Sequence, residues 1–239
     1  MSAQQPTVVL VHGAFADSSS WNGVVERLQA HGYPVIAAGN PLRTLSGDAA
    51  YVRQVVAGVD GPVVLVGHSY GGSVISGAAK DLGNVRALVF VAAFLPDEGE
   101  SAITLSGKFP GSTLGEVLRP VPVTLPDGSG ANDLYIEKAA FHGQFAADVA
   151  EETTSVMAAT QRPVTDVALG EGASAPAWRD IPSWVLVAME DRNIPPQAQT
   201  FMAERAGATA VSVTASHAVA VSRPGDVARL INEAAQATL

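Results

Sequence analysis

Apolar residues fall along this chain in two alternating patterns. Short β-branched runs at 7–11, 35–38, 63–66, 85–91, 184–188 and 210–214 show no apolar/polar alternation, which predicts strands buried on both faces. Between them, Trp21, Val24, Val25 and Leu28 recur at i, i+3, i+4 and i+7, as do Val52, Val55, Val56 and Val59, and again Val227, Leu230, Ile231 and Ala234. These are amphipathic helices. Asp17 to Ser20 offers N-caps for the first of them, and Gly32 stops it. Strand and helix in strict alternation imply right-handed βαβ units, hence an α/β fold with a mostly parallel sheet of about six strands flanked by helices.

The rhythm breaks after the fourth strand. A surplus of roughly 70 residues before the fifth is too long for a bare loop. Its first part holds Pro110, Pro120, Pro122, Pro126 and the turn-like Asp127-Gly128, which suggests a hairpin pairing 121–125 with 134–136. Its second part, 141–161, reads as one helix ended by Pro163. We expect a core domain of residues 1–95 and 179–239, with 96–178 inserted as a cap.

Composition narrows the chemistry. The 239 residues suit one single-core domain, and the formal net charge of -9 with no Lys/Arg cluster argues against nucleic acid or an anionic membrane as partner. The absence of cysteine excludes disulfides, thiolate metal sites and a cysteine nucleophile. No basic-then-apolar leader opens Met1 to Pro6 and no apolar run approaches the ~20 residues of a bilayer span, so a cytoplasmic protein is expected.

The sharpest motif is Gly67-His68-Ser69-Tyr70-Gly71-Gly72, lying between a strand and a small-residue helix. A serine there sits on a tight, strained turn that projects its hydroxyl, and glycines two residues to either side keep side chains out of the corner. Serine needs a base, and the base needs an orienting acid. Of the five histidines, His12 and His68 lie inside tight-turn motifs, His31 ends a helix and His142 falls in the insertion. His217 alone follows a strand at the carboxyl edge, where open α/β sheets place their sites. The acid should follow the preceding strand, where Glu190 and Asp191 stand side by side. The order Ser69, Asp191, His217 is that of an α/β-hydrolase triad.

Val11-His12-Gly13-Ala14-Phe15, the Ser69 motif, Glu190-Asp191-Arg192 and Ser216-His217 together resemble the α/β-hydrolase superfamily. Within it, the chain is similar to small serine esterases related to the plant methylesterase and hydroxynitrile lyase group. The resemblance covers both flanks of the chain and is weak across the insertion. It implies that Ser69 attacks an acyl carbonyl, His217 shuttles the proton and Asp191 holds the imidazole, with Asp97 the runner-up acid. The backbone N–H groups of Tyr70 and Ala14 would form the oxyanion hole, Gly13 would let that loop approach closely, and His12 would brace it. Phe15, Phe94, Phe141, Met157, Trp178, Ile194 and Ala218, with Gly13, are candidates to line a substrate site.

No cofactor motif and no histidine pair at metal spacing occur, so cofactor-free, metal-free chemistry on a small-molecule ester is expected. The expected function is a carboxylesterase for small apolar or aromatic substrates. Alternatives on the same triad are a hydroxynitrile lyase or a cofactor-free perhydrolase or haloperoxidase, and from another class a ligand-binding receptor. Lyases of this group typically carry Thr and Lys where this chain has Gly13 and Ala218.

Overall fold

A computed structural model describes residues 5–174 and 176–238. Met1 to Gln4, part of the stretch read as lacking a leader, and Ala175 within the insertion lie outside the described residues. Nine strands occur among them: β1 (Thr7–Val11), β2 (Val35–Ala38), β3 (Val63–His68), β4 (Val85–Val91), β5 (Leu118–Thr124), β6 (Gly130–Ile136), β7 (Val164–Thr165), β8 (Ser183–Ala188) and β9 (Thr209–Val213). The α-helices are α1 (Asn22–Ala30), α2 (Leu45–Ala57), α3 (Tyr70–Ala78), α4 (Ala102–Ser106), α5 (Lys138–Phe145), α6 (Glu151–Thr160), α7 (Asp166–Gly170), α8 (Pro196–Arg205), α9 (Val219–Ser222) and α10 (Pro224–Ala237).

Six strands form one parallel sheet in the order β2-β1-β3-β4-β8-β9. Alternate residues of each strand enter opposite layers, as the period of two requires. Val9, Val11, Leu65, Leu88, Phe90 and Val185 join one core, whereas Val8, Leu10, Val64, Val66, Val89 and Leu186 join the other. The second core is closed by α1 and α10 through Val24, Leu28, Val227, Leu230 and Ile231. The edge strands β2 and β9 depart from full burial, because each has a neighbour on one side only. The order in which successive strands are added across the sheet reverses between β1 and β3, so their carboxyl ends open a crevice at the topological switch point.

Between β4 and β8 runs the inserted segment, with α4 to α7 and a separate antiparallel sheet in the order β5-β6-β7. The expected hairpin exists in a different register. Val121 pairs with Asp133, and 134–136 pairs with 118–120. Pro120 and Pro122 fit because β5 is an edge strand whose outward positions donate no ladder bond. The single helix expected at 141–161 is two helices, broken between Phe145 and Glu151. The Phe145 carbonyl accepts the Ala218 N–H (3.0 Å) and Asp148 accepts the Ser216 hydroxyl, so contacts to the core replace the continuing helix. Among the described residues no helix is long and apolar enough to cross a membrane.

Candidate active site

The loop after β1 is held by a buried histidine. His12 Nδ1–H donates to the Gly13 carbonyl (2.9 Å), and its Nε2 accepts the Asn40 N–H (3.0 Å). Asn40 Nδ2 in turn donates to the His12 carbonyl (3.0 Å). Burial lowers His12 to about 4, so the ring is neutral at pH 7 and serves as a brace. Gly13 is required by close approach: a Cβ there would lie 2.6 Å from Ser69 Cβ. Phe15, with φ 61, gives its N–H to the Arg162 carbonyl (3.0 Å). The Ala14 N–H has no partner among the described residues.

Ser69 occupies the turn between β3 and α3 at φ 54 and ψ -125, a conformation costly for any residue with a Cβ. The turn is tight enough that a Cβ on Gly67 would lie 2.5 Å from the Gly71 carbonyl oxygen. As the first residue of α3, Tyr70 has an N–H that no helical carbonyl can reach. Its phenol donates to buried Asp48 Oδ2 (2.8 Å), and burial together with that carboxylate pushes the phenol far above its ordinary range. Tyr70 therefore stays a neutral donor, anchoring the start of α3.

His217 follows β9, and its Nδ1 lies 2.7 Å from Asp191 Oδ2 with both side chains out of solvent. Asp191 Oδ1 accepts the N–H groups of Asn193 (2.7 Å) and Ile194 (3.0 Å), and Oδ2 also accepts Gln199 Nε2 (2.8 Å). An acceptor-only carboxylate fixes the proton on His217 Nδ1 and leaves a lone pair on Nε2. From behind, His68 Nε2–H donates to the His217 carbonyl (2.9 Å), and Phe145 packs edge-on against the imidazole at 5.0 Å. Burial lowers His68 to about 3. Glu190 is exposed, and Asp97 is paired with Arg179.

Two neutral, buried imidazoles have a stability consequence. The unfolded chain protonates them near 6.5 and the folded chain resists doing so, so their contribution is complete above that pH and is lost as pH falls toward about 4 for His12 and 3 for His68. The unfolding free energy should fall across pH 6.5 to 4 by up to ~1.4 kcal/mol per pH unit for each histidine, and the thermal midpoint should drop with it. Differential scanning fluorimetry should show a shallower decline for His12→Gln. An unchanged slope would remove His12 as a source.

A cavity of about 180 Å³ opens beside Ser69. Of the sequence candidates, Ala14, Phe15, Tyr70, Phe94 and Ile194 line it. The insertion adds Leu114, Leu118 and Leu169, which sequence reasoning missed because nothing local marks them as wall residues. Other candidates lie elsewhere. Phe141 is fully buried and stacked on Phe145 at 5.0 Å. Trp178 donates from Nε1 to the Pro96 carbonyl (2.9 Å), beneath the Arg179 and Arg205 guanidinium groups. Met157 lines a separate open groove of about 420 Å³ that touches the far side of Phe15. Ala218 is buried beside Phe145. Gln199 was also missed, though a glutamine on the buried face of α8, among Ala198, Met202 and Ala203, is a polar break in an apolar stripe and thus a usable signal. Among the described residues no group of three metal-ligating side chains occurs.

Known proteins with similar sequences and structures agree with this architecture. The alpha/beta hydrolase nvfD of Aspergillus novofumigatus (strain IBT 16806) is 29% identical over 97% of both chains. The carbendazim hydrolyzing esterase of Nocardioides sp. (strain SG-4G) is 34% identical over 42% of this chain and 47% of its own. The crystal structure of polyneuridine aldehyde esterase superposes with a TM-score of 0.84, covering 96% of this chain and 99% of that one at 20% identity. The sequence profile described as the alpha/beta hydrolase family matches residues 8–230, and the chain belongs to that family.

Proposed function

We propose that the protein is a serine hydrolase that cleaves esters of small, largely apolar molecules through an acyl-enzyme. The observation that carries this reading is the buried 2.7 Å Asp191–His217 pair at the same sheet edge as the strained Ser69 turn. A relative named as an esterase supports an ester as the substrate class. In the proposed cycle, His217 Nε2 takes the Ser69 proton as Oγ bonds to the carbonyl carbon. The oxyanion accepts from the free N–H groups of Ala14 and Tyr70, an arrangement worth several kcal/mol in the transition state. Collapse expels the alcohol, which receives the proton from His217. Water then repeats the sequence on the acyl-enzyme and releases the acid. Asp191 remains ionised throughout.

Residues 96–178 act in this reading as a cap that sets which esters enter. Leu118 and Leu169 are the positions to probe, since both reach the cavity from the insertion. Leu169→Phe should reduce turnover of longer p-nitrophenyl esters relative to acetate by about tenfold, because about 180 Å³ leaves little room for added volume. Phe141→Ala should instead lower stability by ~3–5 kcal/mol, as for any fully buried aromatic ring. An unchanged chain-length ranking in Leu169→Phe would show that the insertion does not shape the site.

Esterase and lyase are separated by Gly13 and Ala218. Cyanide departure calls for a cation beside the base, and Ala218 supplies none, while Gly13 leaves the approach to Ser69 open. We expect hydrolysis of p-nitrophenyl acetate and negligible cleavage of mandelonitrile. Rapid mandelonitrile cleavage with the acetate untouched would replace the esterase reading by the lyase one.

A further inference from the structure

The cavity beside Ser69 is mostly apolar, yet it contains one buried polar group with an unfilled requirement. Asn193 lines the cavity, is 3% exposed, and its Nδ2 has no hydrogen-bond partner among the described residues. The orientation of this amide follows from its neighbours. Gln144 Nε2 donates to the Arg192 carbonyl (2.9 Å), which can only accept, so that atom is the Gln144 nitrogen. The same Nε2 lies 2.7 Å from the second partner, which must then be the Asn193 oxygen. The Thr113 hydroxyl on Gln144 Oε1 (2.8 Å) agrees. Asn193 Oδ1 is therefore satisfied and Nδ2 is the unfilled end. Its backbone is also held, with the N–H on Asp191 Oδ1 and the carbonyl accepting from Ser112 Oγ (2.9 Å). An amide this firmly fixed and left with a bare donor loses free energy until an acceptor arrives.

We propose that Asn193 Nδ2 is a specificity determinant that donates to a carbonyl or ether oxygen on the substrate group lodged in this cavity. The preferred substrates are thus esters whose cavity-bound group is apolar along Leu118 and Leu169 and carries one acceptor oxygen for Asn193. The inference rests on the serine esterase reading of the same site and deepens it. A purely hydrocarbon group would fill the volume but leave the donor unpaired, which is the condition under which hydrogen-bonding sites discriminate most strongly.

The test uses matched ester pairs in two series, one varying the acyl part and one the alcohol part. Each pair sets an ether or ketone oxygen against CH2 at successive chain positions. Intrinsic reactivity is removed by comparing the kcat/KM ratio within a pair between wild type and variants. Asn193→Leu deletes the donor, while Asn193→Asp keeps the oxygen that accepts from Gln144 and replaces the donor by an acceptor. We expect wild type to favour the oxygen-bearing member in at least one series, with that ratio falling about tenfold in whichever variants fold. A ratio unchanged by the substitutions, or no wild-type preference in either series, would overturn the proposal and leave the esterase reading intact. No wild-type turnover of any ester, together with no fluorophosphonate labelling, would overturn the esterase reading itself and this proposal with it.

Discussion

Ser69→Ala should fold normally and lose ester hydrolysis by about 10⁴ to 10⁶ in kcat, because removal of the nucleophile leaves only binding and oxyanion stabilisation. The substitution keeps a Cβ at φ 54, so the strain of the turn, and with it the thermal midpoint, should change little. Ser69→Gly separates the two roles of this position. Glycine relieves the backbone conformation, so this variant should be equally inactive yet melt above wild type, by ~1 to 2 kcal/mol of stability. Steady-state kinetics and thermal melts on the pair check both statements. A Ser69→Ala protein with a tenth of wild-type activity would mean that another group is the nucleophile.

Asp191→Asn should cost about 10⁴ in kcat, whereas Asp97→Asn should be nearly silent. The asparagine amide would offer an N–H to His217 Nδ1 or to the N–H groups of Asn193 and Ile194, which already require acceptors. The second orientation sets donor against donor, so the first is favoured, and an N–H facing Nδ1 moves the imidazole proton to Nε2, where the lone pair is needed. Asp97, at the start of the insertion, instead pairs with Arg179 just beyond its end, and its loss removes a partly exposed ion pair worth little. Parallel kcat measurements on the two variants decide, and the reverse ranking would move the acid to the loop after β4.

The core was legible because each buried strand is a run of β-branched residues without alternation, and β1, β2 and β4 begin and end where that pattern does. The Ser69 turn was legible because Gly67 is dictated by the backbone of Gly71 and Gly72 a few residues on, although Gly71 and Gly72 are themselves required by the distant carbonyls of Val11 and Phe94. The insertion was harder, since its outcome is decided by distant partners. Nothing around Ala146 breaks a helix locally; the chain stops there because Phe145 and Asp148 bond to the residues flanking His217. The hairpin register escaped because Pro120 and Pro122 read as loop residues until β5 is known to be an edge. Phe141 resembled a pocket residue by type, but its stacking on Phe145 consumes its surface. Of the supporting groups near Asp191, Gln199 shows in the sequence as a polar break in the buried face of α8, whereas Gln144 reaches Arg192 and Asn193 from α5 and leaves no spacing signature.

The central claim is that Ser69, activated by His217, forms a covalent bond to an electrophilic acyl or phosphoryl centre. Intact-protein and peptide mass spectrometry after brief exposure to a fluorophosphonate tests it most directly. We predict one stoichiometric adduct on the peptide containing Ser69, absent in Ser69→Ala and formed at least a hundredfold more slowly in His217→Ala. An active protein that stays unlabelled, or one labelled at a residue other than Ser69, would contradict the account.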